Sequence, residues 1–157
     1  MSDPDQRGIC QQCNSAIDAL HSDKSVKKYG YSLCEDCQIW FITKVFNTTR
    51  ETIQLYFALK ARGIHPVLEV KEGLKRNEII FPQFDIHIEV DCHQHHHYHR
   101  DEALKDLENI CQGYQGGICE LQIPQALIRW NLNETADILS VFIVAAESKQ
   151  NNSNRRA

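Results

Sequence analysis

Apolar and polar positions alternate strictly over residues 84–91. Phe84, Ile86, Ile88 and Val90 fall on one side, and Asp85, His87, Glu89 and Asp91 on the other. A period of two is the spacing of a β-strand. Two shorter β-branched runs precede it: Val67-Leu68-Glu69-Val70, ended by Gly73, and Glu78-Ile79-Ile80-Phe81, stopped by Pro82. Only Pro82 and Gln83 separate the second run from the third, so these two are expected to pair as an antiparallel hairpin. A fourth strand is expected over residues 118–123, closed by Pro124.

Helical spacing fills most of the remainder. Residues 35–46 are rich in apolar side chains and predict a helix. Thr48 and Glu51 have the spacing of a capping box, Ile53, Tyr56, Phe57 and Leu59 follow at helical intervals, and Gly63 supplies a stop. Ala103, Leu104, Leu107, Ile110 and Cys111 mark one face of a helix over residues 100–112. Asn131 and Glu134 form a second capping-box pattern, opening a last helix through Ile138, Leu139, Phe142 and Ile143. The order is helix, three strands, helix, strand, helix. The crossover helix makes the fourth strand parallel to one of the earlier strands. The pattern predicts an α/β (α+β) core: a small mixed four-stranded sheet flanked by helices on both faces. Residues 1–8 and 148–157 are polar and read as loose ends.

The cysteines change the picture of the N-terminal quarter. Cys10-x-x-Cys13 and Cys34-x-x-Cys37 are two metal-type pairs separated by twenty residues. Each Cys-x-x-Cys turn brings two thiolates to one ion, and two turns complete the tetrahedral set of a structural zinc site. Residues 9–46 are therefore expected to form a zinc-knuckle or zinc-ribbon module leading into a helix, ahead of an α/β domain over 47–147. With all four positions filled by protein, the zinc is structural and chemistry is expected elsewhere. Cys92, Cys111 and Cys119 read as scattered reduced thiols.

Composition is ordinary for a globular chain, with 42% hydrophobic and 24% charged residues. No apolar run has the length of a membrane span, and no secretory signal is visible, so a cytoplasmic protein without a membrane partner is expected. The net charge of −4 is not that of a nucleic-acid coat protein. Two local basic clusters, Lys24, Lys27 and Lys28 in the zinc module and Lys71, Lys75 and Arg76 beside the strands, are candidates for phosphate contacts. Solvated loops explain them equally well.

The third strand carries the candidate chemistry. Glu89 and Asp91 point the same way from adjacent pleats, and Glu78 of the preceding strand is within reach if it faces that side. Converging carboxylates repel unless a cation lies among them, and hard oxygen ligands suit Mg²⁺ or Mn²⁺. A strand whose polar face meets solvent shows the same alternation. Five histidines follow, His93, His95, His96, His97 and His99. His95 comes four residues after Asp91, a position from which it could bind metal, transfer a proton or hold a phosphate. The others read as an exposed turn, with a second metal site as the minority alternative.

The layout of helix, hairpin, Ile88-Glu89-Val90-Asp91-Cys92-x-x-His95, helix and strand resembles the PD-(D/E)XK nuclease superfamily, most closely its very-short-patch-repair branch. Gly30-x-x-Leu33-Cys34-x-x-Cys37-Gln38 and Ile123-Pro124 resemble small relatives with an N-terminal zinc module. The resemblance covers roughly residues 9–146. It implies a restriction-endonuclease-like core, hydrolysis of DNA phosphodiesters with Mg²⁺ or Mn²⁺, and catalytic positions Glu78, Glu89, Asp91 and His95. Glu51 matches an acidic position near such sites. RNA is the other candidate substrate, and a homodimer is one open oligomeric state. The chain departs from the pattern at Glu78, where the family has Asp, at Cys92, where it favours Gly, and at Gln122, where a basic side chain is expected. These departures leave open a catalytically degenerate fold that binds nucleic acid or protein, or a zinc-stabilised interaction protein.

Overall fold

In a computed structural model of the chain, the structure describes residues 8–44, 48–71, 76–91 and 99–154. The N-terminal segment opens with a tight ribbon in which Ile9 bridges Ala16. It continues through α1 (Ala19–Tyr29) and α2 (Glu35–Lys44) to the long-buried helix α3 (Arg50–Lys60). Then come β1 (Val67–Lys71), β2 (Arg76–Phe81), β3 (Ile86–Asp91), α4 (Arg100–Gly113), β4 (Cys119–Pro124) and α5 (Gln125–Asn154).

The four strands form one sheet in the order β1-β2-β3-β4. The first three are antiparallel neighbours, and β4 runs parallel to β3. Both the hairpin and the parallel crossover follow the expected topology. Pro82–Phe84 is a short 3-10 turn, with Asp85 left-handed at φ 51°, so the connection is longer than the expected two residues. Proline starts such a turn well, and Asp tolerates the left-handed conformation.

Directly paired residues share a face. One cross-sheet row is Leu68, Ile79, Ile88 and Leu121, and its neighbours hold Phe81 with Ile86 and Val90 with Ile123. These side chains join one apolar core with Leu55 and Leu59 of α3, Leu107 of α4 and Leu127, Leu139 and Phe142 of α5. The opposite face carries Val67, Glu69, Glu120 and Gln122, all exposed, with Ile80 buried among them yet outside that core. Among the described residues, α3, α4 and α5 share the sheet's apolar face, and the expected covering of both faces is not observed. β3 is central in the sheet, but its polar side is only half covered.

Three helix boundaries differ from the periodicity. The segment between the cysteine pairs, for which the periodicity marks no helix, is α1. Asp18 caps it by accepting from the His21 amide (3.0 Å), and Gly30 ends it at φ 82°, its amide bonding the Val26 carbonyl. The cap of α3 is Thr49, accepting from the Thr52 amide (3.2 Å), rather than Thr48. Glu51 is drawn into an interhelical contact with Gln125 and Arg129 of α5. A helical stretch that the periodicity did not show starts immediately after the sheet at Gln125, and non-helical Asn131 (φ −139°, ψ 44°) separates it from the last helix, which begins where the Asn131 pattern placed it; α5 is these two helices joined across a kink. Residues 148–154, read as a loose end, continue that helix. Residues 1–7 and 155–157 lie outside the described residues.

The N-terminal segment packs against α3. Tyr31 lies against Phe57 with ring centroids 4.5 Å apart, and Phe41 approaches both Tyr56 and Phe57. Tyr31 donates to the Gln54 carbonyl (3.1 Å), and Lys60 donates to the Gln12 amide oxygen (3.0 Å). One helix thus supports the cysteine-bearing segment on one side and the sheet on the other.

Candidate metal centre and the sheet carboxylates

The two Cys-x-x-Cys turns meet. The sulfurs of Cys10, Cys13, Cys34 and Cys37 all lie within 4.8 Å of one another, and those of Cys13 and Cys34 are 3.6 Å apart. Four sulfurs at about 2.3 Å from a tetrahedral Zn²⁺ stand about 3.8 Å apart, so the donor set fits one such ion. The first turn is built by the Asn14 amide bonding the Cys10 carbonyl (2.8 Å) and by Asn14 in the left-handed region at φ 61°. The second turn is the first turn of α2, where the Gln38 amide bonds the Cys34 carbonyl (3.0 Å). The Gln11 amide bonds the Ser32 carbonyl (2.9 Å) and ties the turns together.

Below the sulfurs the packing is largely polar. Ser25 donates to the Tyr31 carbonyl (2.6 Å) and accepts from the Leu33 amide (2.9 Å), while the Ser22 and Ser32 hydroxyls pair at 2.7 Å. Cys10 is fully buried and Cys13 is exposed. Hydrogen bonds from Ser15 bring the Cys13 thiol down to about 6, whereas burial pushes Cys37 up. Thiolate ligands are deprotonated on binding, so metal binding at this site releases protons.

On the sheet, Glu89 of β3 pairs in register with Glu78 of β2 and with Gln122 of β4. Glu78 in turn pairs with Glu69 of β1. Asp91, the last residue of β3, is opposite Pro124. Glu89 and Asp91 are half-buried, and both interact with other groups in the protein. The backbone thus puts Glu69, Glu78 and Glu89 in one row, with Asp91 a pleat further along β3. Among the described residues the cysteines are the sole group of three or more potential metal ligands within binding distance. The Glu78 side chain, and the whole of His95 and Cys92, lie outside the described residues, as do His93, His96 and His97.

The basic candidates divide in the same way. Lys24, Lys27 and Lys28 are exposed on α1 at i, i+3, i+4 spacing, opposite the buried Ser22, Ser25 and Tyr29. Lys71 and Arg76 are register partners at the β1–β2 end, and Lys75 lies outside the described residues.

Glu51 has a role that its spacing did not suggest. It is 7% exposed and accepts from Arg129 Nε (2.6 Å) and Gln125 Nε2 (2.5 Å), joining the starts of α3 and α5. Burial works to raise its pKa, but the Arg129 and Gln125 hydrogen bonds outweigh it, and the carboxyl is held below the usual glutamate range. At the other end of the same helix pair, Arg62 bonds Asp137 (2.6 Å) and the Asn133 carbonyl (3.2 Å). Arg129 and Arg62 went unnoticed in the sequence, because nothing in local spacing pairs residues so far apart along the chain.

Fold and site together define a mixed α/β protein with a four-stranded mixed sheet, flanking helices and a four-cysteine centre able to hold a metal such as zinc. No helix among the described residues is long and apolar enough to cross a membrane. No family model, no curated protein and no solved structure matches the chain.

Proposed function

We propose that this protein is a metal-dependent endonuclease-like protein acting on DNA, its sheet a PD-(D/E)XK-type core and its cysteine module a structural zinc unit that helps to dock the nucleic acid. The observation that carries the reading is the register of the central strand. Glu89 stands directly opposite Glu78, and Asp91 follows on the same face beside the parallel strand β4. Carboxylates so placed suit a hard divalent cation, Mg²⁺ or Mn²⁺. The element order from α3 to α5 supports the same reading.

Glu78 and Glu89 would hold that ion, with Asp91 as a further oxygen ligand. A divalent ion there supplies polarisation of a phosphate and a more acidic bound water. Asp91 or His95 orients the attacking water and accepts its proton. Lys71, Lys75 or Arg76 offsets negative charge on the phosphate oxygens. We place the protein in the cytoplasm, on the ground that four of its seven cysteines gather as metal ligands, a use of thiols that suits a reducing compartment.

A second reading, a catalytically degenerate fold that binds nucleic acid or protein, is favoured by one specific observation. Gln122, not a lysine or arginine, is the β4 partner of Glu89, so the position expected to stabilise charge is neutral and exposed. Zinc-loaded protein incubated with supercoiled plasmid and Mg²⁺ or Mn²⁺ separates the two. Nicking by the wild type that disappears in Glu89→Ala supports the enzyme. Binding without nicking supports the degenerate fold, and absence of both leaves a zinc-stabilised interaction protein.

A further inference from the structure

Arg129 is an anchored cation with its outer donors turned to other uses. Its Nε is taken by the buried Glu51 carboxylate, and Gln125 holds the second carboxylate oxygen. The side chain is nevertheless 58% exposed, and among the described residues its two terminal nitrogens have no hydrogen-bond partner. A guanidinium fixed through one nitrogen loses little freedom when its remaining fork meets a phosphate. The place is suggestive as well. α5 begins directly after Pro124, the register partner of Asp91, so Gln125 and Arg129 stand at the carboxyl ends of the parallel pair β3 and β4.

A line of further cations leads away from it toward the cysteine module. Arg50, adjacent to Glu51, is exposed and has no hydrogen bond or ion pair among the described residues. Its Nη2 lies 3.8 Å from where a Cβ on Gly30 would stand, so it borders the C-terminal end of α1. That end carries the exposed Lys27 and Lys28, with Lys24 one turn earlier. Of the carboxylates near this line, Glu51 is already offset by Arg129, and Asp23 stands four residues before Lys27 on α1. A chain of net charge −4 thus places Arg50 beside the α1 end that carries Lys27 and Lys28, and Arg129 on Glu51, the residue that follows Arg50.

We infer that this path is a phosphate track for one backbone of a DNA duplex, with Arg50 and Arg129 as its phosphate-contacting residues. The inference deepens the proposed function and rests on it. Charge complementarity identifies the occupant, and the track's end at Asp91 gives the backbone a direction toward the proposed site.

The test is fluorescence anisotropy of a labelled DNA duplex with the full zinc-loaded chain, without added divalent ion, over a series of salt concentrations. Arg50→Ala is expected to weaken binding roughly three- to tenfold and to lower the slope of log K against log salt by about 0.9, the value of one lost phosphate contact. Lys27→Ala with Lys28→Ala should act in the same direction. Because Arg129→Ala alone would strand a buried carboxylate, it is made together with Glu51→Gln, and Glu51→Gln alone is the reference. The double variant should bind more weakly than that reference, with melting curves showing that both are folded. Wild-type binding left unchanged in affinity and salt slope by these variants overturns the track while leaving the nucleic-acid reading standing. A wild type that binds no duplex at any salt overturns that reading itself. Tighter binding of an RNA duplex of the same sequence overturns the choice of DNA.

Discussion

Residues 8–44 and residues 50–146 bury themselves by different means. The first region buries Cys10, Tyr29, Leu33 and Phe41, beside the hydroxyls of Ser22, Ser25 and Ser32. Leu20, Val26, Ile39 and Ile42 remain exposed within it. The second region buries a continuous set from three helices and from β2, β3 and β4, including Leu55, Leu59, Ile79, Ile86, Ile88, Leu127 and Leu139, with Leu68 of β1 partly buried against it. Each of those contributes about 1.5–3 kcal/mol on burial, enough in sum to oppose chain entropy. The cysteine segment has too few such residues for that, so its order must come from coordination and from docking on α3.

Removing the metal should break this comparison most severely. Chelation, or Cys34→Ser, is expected to reduce zinc from about one per chain to none and to abolish amide protection across residues 8–44, since structural zinc in small modules supplies about 10–16 kcal/mol. Hydrogen exchange should still show protection in β3 and α5. Equal loss of protection in both regions would mean that the sheet too depends on the ion.

A core truncation should do the converse. Leu139→Ala, at a fully buried position, is expected to cost about 2–5 kcal/mol in denaturant unfolding of the sheet region without changing zinc content.

The Glu51 contact should matter less and should depend on pH. Glu51→Gln is expected to cost about 1–2 kcal/mol at neutral pH, because the hydrogen bonds from Arg129 and Gln125 lose their charge. A carboxyl held low in the folded state contributes fully above its unfolded value, about 4.3, and loses that contribution as pH falls toward the folded value. The gap between wild type and Glu51→Gln should therefore narrow below about pH 4. A gap that stays constant on acidification would rule out the charged pairing. Gly63→Ala should have the smallest effect, about 1 kcal/mol in thermal melts, from placing a Cβ at φ 76° just after α3.

The strands were legible because their signal is local. Alternation over β3 and the short gap at Pro82 were enough to pair β2 with β3 but not to set their register, since a two-residue connection would put Glu78 opposite His87 and the longer one puts it opposite Glu89; the crossover helix set β4 parallel. The cysteine centre was equally legible, since ligand spacing is itself the geometry of a knuckle. α1 was missed because its buried face is Ser22, Ser25 and Tyr29 while Leu20 and Val26 are exposed, so no apolar stripe marks it. Its signals were Asp18 at the cap and Gly30 at the stop, with Lys27 and Lys28 in the last turn. The role of Glu51 was hidden for another reason: its partners are on α5, and only tertiary packing brings them to it. Burial on the polar side of β3 was likewise unreadable, because alternation describes a face without saying what covers it.

The most direct measurement of the proposed chemistry is anomalous diffraction at the manganese edge from crystals of zinc-loaded protein soaked in Mn²⁺. The account predicts one manganese peak within bonding distance of the carboxylates of Glu78, Glu89 and Asp91, absent in Glu89→Ala crystals. Those carboxylates found apart in solvent, with no manganese between them at saturating Mn²⁺, would contradict it.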